Sequence, residues 1–274
     1  METDFQTEFL GAESLLYQVD HRPWLPPNGP WIMTQTWHDL AFFHYAIEPA
    51  VLRALVPDVL TLDLYQGHAW LTVLPFRMDH VRPPGIPSVP VISSFPELNV
   101  RTYVTYRDKP GIYFFSLDAG NLSAVWGARL FYRLPYWHAD MKVERSRRNL
   151  TEARTGEPAP ASIRYSSRRI HGPSAVDGPA VFKGSYRPVG VADYPRRRSL
   201  DEFLVERYCL YSLTRKHLYR AEVHHLPYAI QGCEYEIEKN TMCEPIGLRL
   251  PPAPDLAHYS KRLKVLIWPP EKLK

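Results

Sequence analysis

Proline sets the first limit on this chain. There are 27 prolines against 14 glycines, about twice the usual share of proline, and they recur from Pro23 to Pro270 rather than gathering in one linker. Inside a helix each would remove a backbone donor and clash with the carbonyl four residues earlier. Long helices are therefore disfavoured, and a sheet of many short strands joined by rigid turns is expected. At 274 residues the chain can form one large domain or two small ones, either with a core that needs no disulfide or metal to fold.

Hydrophobic residues at 45% and charged residues at 23% exclude general disorder. No run approaches about 18 uninterrupted apolar residues, and Met1-Glu2-Thr3-Asp4 is acidic where a secretory signal is basic and then apolar. A soluble, cytoplasmic protein is expected. The three cysteines, Cys209, Cys233 and Cys243, fit neither a disulfide framework nor a zinc ribbon and are expected as reduced, semi-buried thiols. The net charge of +4 is too small to imply a nucleic-acid partner. It is uneven, however: Met141–Leu200 carries 13 Lys+Arg and 5 Asp+Glu, a net of +8 that leaves −4 elsewhere. No nucleic-acid motif accompanies these arginines, and a solvated sheet face with Arg-rich turns explains them more simply than a nucleic-acid or membrane footprint.

Residues 1–30 read as an N-terminal extension that Arg22-Pro23-Trp24-Leu25-Pro26-Pro27 keeps from continuing as helix, and residues 31–274 as a single domain. Met33 to Ile47 reads as an aromatic-rich strand, followed by a short helix opened by Glu48-Pro49. Leu60–Tyr65 and Ala69–Met78 flank Gln66-Gly67-His68 as an expected hairpin. Glu97–Tyr106 and Gly111–Leu117 form another across Arg107-Asp108-Lys109-Pro110. A helix is expected from Ser123 to about Tyr132. Around Val143 and Ile163 basic residues alternate with apolar ones, the pattern of strands with one wet face. Leu200–Leu213 fits helix or long strand equally. Arg220–Leu226, Gln231–Lys239 and Lys261–Trp268 read as further strands, so the fold class is mostly β, antiparallel, with a few short helices.

Three stretches carry more than composition: Trp37-His38-Asp39-Leu40-Ala41-Phe42-Phe43-His44, Pro96-Glu97-Leu98-Asn99-Val100-Arg101-Thr102-Tyr103-Val104, and Phe115-Ser116-Leu117-Asp118-Ala119 running on through Ala128-Arg129 to Leu134-Pro135-Tyr136. With Phe203–Tyr208 and Ile267-Trp268-Pro269-Pro270 they resemble the YqjF-like family of uncharacterised conserved proteins, itself similar to a branch of the acetoacetate decarboxylase-like superfamily. The resemblance implies a closed, curved antiparallel sheet, a β-barrel with a central pocket. Large homo-oligomers occur in that superfamily, so a homo-oligomer is allowed here. The decarboxylase pattern places an arginine ahead of a Pro-Lys pair whose lysine forms a Schiff base. Arg129 and Pro135 match the arginine and the proline, but the lysine position is Tyr136, and a phenol forms no imine. Glu97 lies 39 residues before Tyr136, a spacing similar to that between the decarboxylases' glutamate and lysine.

On a strand Glu97, Asn99, Arg101 and Tyr103 share one face. That face either meets solvent or brings an acid, an amide, a guanidinium and a phenol into one cavity, where burial demands partners or a ligand. The resemblance favours the cavity. Arg129 then clamps a carboxylate or pairs with Glu97, and Tyr136 and His138 either act as proton donors or pack beneath a loop. Ser116 and Asp118 have no His partner in view. Histidines 38, 44, 224 and 225 lack metal-ligand spacing, adjacent His224 and His225 pointing to opposite faces. No metal and no cofactor is expected. The leading expectation is a pocket for a small-molecule carboxylate or carbonyl compound acted on by non-covalent acid–base catalysis, with Glu97, Arg129 and Tyr136 catalytic and Asn99, Arg101, Tyr103 and His138 binding. A binding or sensing protein without turnover is the alternative.

Overall fold

The alternation expected of a half-wet strand is clearest at Ile163–Arg169, where every second residue is buried. It is missing from the burial of two longer strands. Met33–Ile47 and Phe95–Tyr106 hold unbroken runs of buried residues, as strands do when both faces are covered. The reason lies in how the sheet closes. The structure, a computed structural model, describes residues 11–87, 93–122, 134–146, 161–170, 180–214 and 217–274.

The described strands are β1 Met33–Ile47, β2 Thr61–Leu62, β3 Ala69–Arg82, β4 Phe95–Tyr106, β5 Lys109–Ala119, β6 Tyr136–Arg145, β7 Ile163–Arg169, β8 Val181–Asp193, β9 Cys209–Thr214, β10 His217–His224, β11 Ile230–Asn240, β12 Leu256–Ile267 and β13 Glu271–Lys272. Helices are short: α1 Ala12–Leu15, α2 Pro49–Arg53 and α3 Leu200–Val205. All strands join one sheet in the order β13-β10-β9-β5-β6-β7-β8-β11-β12-β1-β3-β4-β2, with β4–β5 and β10–β12 pairing as well. The sheet forks at two strands. One edge of β5 pairs with β4, while its other edge takes β9 at Ile112–Tyr113 and β6 at Leu117–Ala119, both parallel. One edge of β12 pairs with β1; the other takes β11 at His258–Tyr259 and β10 at Leu266–Ile267.

Two rings result, sharing β12, β1, β3, β4 and β5. A nine-strand ring adds β6, β7, β8 and β11, and encloses a core of Phe43, Tyr45, Leu98, Val100, Tyr165, Phe182 and Tyr186. A seven-strand ring adds β9 and β10, and encloses Phe42, Phe76, Phe114, Tyr136, Leu210 and Val223. Each shared strand thus sends alternate side chains into different interiors. At Asp39, with φ of 54°, the β1–β3 register slips by one residue, and the parity changes. Trp37 and Phe42 face the seven-strand ring on either side of the slip, the face switch a bulge produces. Where β5 meets β9 the backbones approach closely: a Cβ on Gly111 would come within 2.8 Å of the Cys209 carbonyl oxygen, so only glycine fits.

Several expectations need correction. Leu60–Tyr65 does not pair with β3; Thr61–Leu62 pairs with β4 instead, leaving only the tight Tyr65–His68 bridge of the expected hairpin. The closed sheet is mostly antiparallel, but β5 makes two parallel junctions. The undecided Leu200–Leu213 segment is both: helix α3, capped by the Ser199 hydroxyl on the Glu202 N–H, then strand β9. The cysteines are free and buried rather than half-buried, and burial pushes the thiols of Cys209 and Cys233 up to about 12. The expected helix at 123–132, and Arg129 with it, lies outside the described residues. No helix among the described residues is long and apolar enough to cross a membrane.

Candidate functional site

The interiors of the two rings differ. The seven-strand ring holds a cavity of about 490 Å³. Its rim is formed by half-exposed Ile32, Met33 and Val81 with exposed Pro83; its closed end by buried Leu210, His225 and Tyr228. Most of the wall is apolar. Its polar residues include one line along β4, Glu97, Asn99 and Arg101, running from near the rim toward the closed end. These residues are 1%, 4% and 4% exposed, so the alternative in which this face meets solvent is overturned. Leu98 and Val100, between them, point into the other ring.

Tyr136 opens β6, beside Leu117 of β5. Its hydroxyl donates to Glu97 Oε2 at 2.9 Å. Burial pushes the Glu97 carboxyl up to about 8, with the nearby Asp118 charge adding to the rise, against the opposing hydrogen bonds of Tyr136 and Asn99. At neutral pH Glu97 is mostly a protonated acid, able to donate. No lysine lines the cavity among the described residues, so the position that a Schiff base would need is filled by a phenol bonded to a carboxyl group.

Arg101 sits deeper. Its Nη2 donates to the Leu204 carbonyl at 3.2 Å, and its guanidinium lies 5.4 Å from the Phe42 ring centre. Its Nε has no hydrogen-bond partner, nor does Asn99 Oδ1. Among the described residues no carboxylate pairs with Arg101, whereas the neighbouring Arg207, also on the wall, is paired with Asp63 at 2.6 Å. Asp118 and Arg169 likewise form a buried, bidentate pair inside the other ring. A buried cation without a counter-ion is costly.

Tyr103 and His138, expected as binding residues, do not line the cavity. The Tyr103 hydroxyl donates to the Leu204 carbonyl at 2.8 Å and meets Thr72 Oγ1 at 2.7 Å, and Phe203 lies against its ring. It is the end of a buried chain in which His258 meets His44 at 3.2 Å and His44 meets Thr72 at 2.8 Å. Tyr103 is thereby spent on holding α3. His138 lies where β6 leaves β5 and follows the nine-strand ring. Gln35, Arg207, His225 and Tyr228 are wall residues that sequence reasoning did not single out as binding groups; they arrive from elements remote in sequence. His225 is stacked on Tyr208 and its imidazole is lowered to about 3 by burial, so it is neutral. His224 turns the other way, to the Leu15 carbonyl.

Part of the basic stretch is paired with acidic side chains. On the outer face Lys183 pairs with Glu238, Arg187 with Glu234, Arg164 with Glu144 and Arg168 with Asp140. Among the described residues no group of three or more His, Cys, Asp or Glu side chains is placed to hold a metal ion.

Comparison with known proteins agrees with this architecture. A family model described as an uncharacterized conserved protein matches residues 34–264. The chain is 45% identical over 246 residues to the uncharacterized protein YqjF of Bacillus subtilis (strain 168), covering 90% of this chain and 94% of that one. Among solved structures it is similar to the enduracididine biosynthesis enzyme MppR complexed with pyruvate, with a TM-score of 0.59 at 12% identity and 93% of each chain covered. It is also similar to the acetoacetate decarboxylase of Legionella pneumophila, with a TM-score of 0.56 at 12% identity, covering 97% of this chain and 96% of that one, and to an acetoacetate decarboxylase-like enzyme of Sphingomonas wittichii RW1, with a TM-score of 0.56 at 12% identity over 90% and 94%. At that identity the likeness is one of fold.

Proposed function

The chain belongs to the DUF2071 family of uncharacterized conserved proteins, and from that premise we propose that its seven-strand ring binds a small organic acid or carbonyl compound and acts on it by non-covalent acid–base catalysis. The observation that carries the reading is Arg101: a buried guanidinium on the cavity wall with an unpartnered Nε and no ion-pair partner among the described residues. Such a group is stabilised by an incoming carboxylate, and the charge-assisted bond is strong because the site excludes water. Asn99 Oδ1, also unpartnered, accepts from a ligand hydroxyl or N–H. Glu97, protonated at neutral pH, gives or recovers a proton, and Tyr136 holds its carboxyl group in place and shares the charge when it ionises. Arg129 is proposed as a second anion contact on the resemblance alone. The pyruvate held by MppR makes a small acid a reasonable occupant of this fold, while the phenol at Tyr136 argues against the imine route.

Calorimetric titration with organic acids tests this. Binding confined to anions, weakened at least tenfold by Arg101→Gln, is expected. Glu97→Gln should keep binding and abolish turnover; retained turnover removes Glu97 from the chemistry, and binding without turnover in the wild type leaves a receptor. Borohydride reduction with keto acids should trap no adduct; a lysine adduct overturns the non-covalent mechanism.

A further inference from the structure

The polar groups on this wall stand at two separate levels. Glu97 and Arg101 are four residues apart on one strand, which sets their backbones about 13 Å apart. The Glu97 head is held at the level of Asn99, while the Arg101 head leans on to the level of Tyr103. Arg101 Nη2 shares the Leu204 carbonyl oxygen with the hydroxyl of Tyr103, two residues further from Glu97. The Glu97 carboxyl is tied to Tyr136, which lies level with Asn99 through Asn99–Leu117 and Leu117–Tyr136 pairing. A molecule that seats a carboxylate on Arg101 therefore cannot present an adjacent carbonyl to Glu97. Apolar side chains line the chamber around these two levels, among them Leu74, Phe114, Leu117 and Val223.

Volume points the same way. At about 30 Å³ per water, 490 Å³ is the space of about 16 waters, several times what a two- to four-carbon keto acid occupies. Such a small acid would leave most of an apolar chamber empty or filled with poorly bonded water.

We infer that the ligand is an elongated carboxylic acid with an apolar body of about ten or more heavy atoms, its carboxylate seated on Arg101 at the closed end and any second oxygen function at the far end, beside Glu97 and Tyr136. This deepens the proposed function and rests on its anion seat. It excludes acids whose carbonyl lies next to the carboxylate as the best fit, because the two polar levels cannot be reached together.

The test is a calorimetric series of straight-chain and aryl-substituted carboxylates against the purified protein, run beside the alcohols and primary amides of the same chains. Affinity should rise about fourfold per added methylene and fall once the chamber is full. A carbonyl at the far end should add between about twofold and tenfold, while one beside the carboxylate adds nothing. Val223→Phe should move the optimum to shorter acids, and Leu210→Ala, which enlarges the chamber, to longer ones. A flat length dependence, or a short keto acid binding best, overturns this inference and leaves the anion seat standing. Alcohols and amides binding as tightly as the acids would instead remove the anion seat, with the length dependence still readable by itself.

Discussion

The two rings share five strands yet satisfy their buried charges and phenols differently, although two hydroxyls of the nine-strand ring, Ser116 and Ser167, are also left unpartnered. In the nine-strand ring the buried phenols are matched: Tyr165 donates to the Phe76 and Glu97 carbonyls, Tyr186 to the Asp39 carbonyl, Tyr259 to the Asp39 carboxylate, and Tyr45 receives Asn240. Its buried charges, Asp118 and Arg169, face each other at 2.7 Å. In the seven-strand ring an unpaired guanidinium, an unpartnered amide oxygen and a protonated acid face open space. Folding alone gives no reason to bury such groups. The difference separates a filled core, which specifies the fold, from a hollow one that keeps its polar atoms for something that enters.

The largest effect expected from this contrast is in packing. Phe182, buried and stacked against Phe43 in the filled ring, should cost about 3–5 kcal/mol when replaced by alanine. Phe114, on the cavity wall, already lacks neighbours on one side, and its alanine variant should cost about half as much or less. Urea unfolding of both variants checks this, and equal losses would mean the chamber is effectively filled.

Next comes pH. The Glu97 carboxyl is raised from 4.5 to about 8, so the folded chain holds a proton that the unfolded chain releases above pH 4.5. Wild-type stability from this group is fully present below about 4.5 and is lost as pH rises through about 8. Glu97→Gln keeps the shape and removes the titration. Its advantage over wild type should be small at pH 4.5 and grow to the order of 3–5 kcal/mol above pH 8. The buried histidines are common to both proteins and cancel. A constant difference across this range would place Glu97 in a solvated setting and break the contrast between the rings.

How far the sequence reveals this is decided residue by residue. Alternation in β7 was readable because one of its faces is wet. In β4 the alternation Glu-Leu-Asn-Val-Arg-Thr-Tyr-Val is just as regular, yet both faces are buried; the pattern reports a polar cavity wall and is indistinguishable, on residues alone, from a face toward water. Parity correctly grouped Glu97, Asn99 and Arg101, but it also grouped Tyr103, whose hydroxyl is taken by Thr72 and Leu204. Tyr136 is legible only through a resemblance, and its hydroxyl does bond Glu97, 39 residues earlier. His138 shares parity with Tyr136, but β6 departs with the other ring after three paired residues, and no local pattern announces a fork. The same forks hide Gln35, Arg207, His225 and Tyr228, which share a wall only because β12 and β5 each pair with two strands along one edge.

The central claim is that Arg101 is held for a ligand and does not support the fold. Its most direct test is denaturant unfolding of Arg101→Met without ligand. Methionine fills similar space and removes an unpaired buried charge, losing one hydrogen bond to Leu204, so the variant should fall within about 1 kcal/mol of wild type or exceed it. A loss of more than about 3 kcal/mol would show that Arg101 is a structural member of the wall and contradict the account.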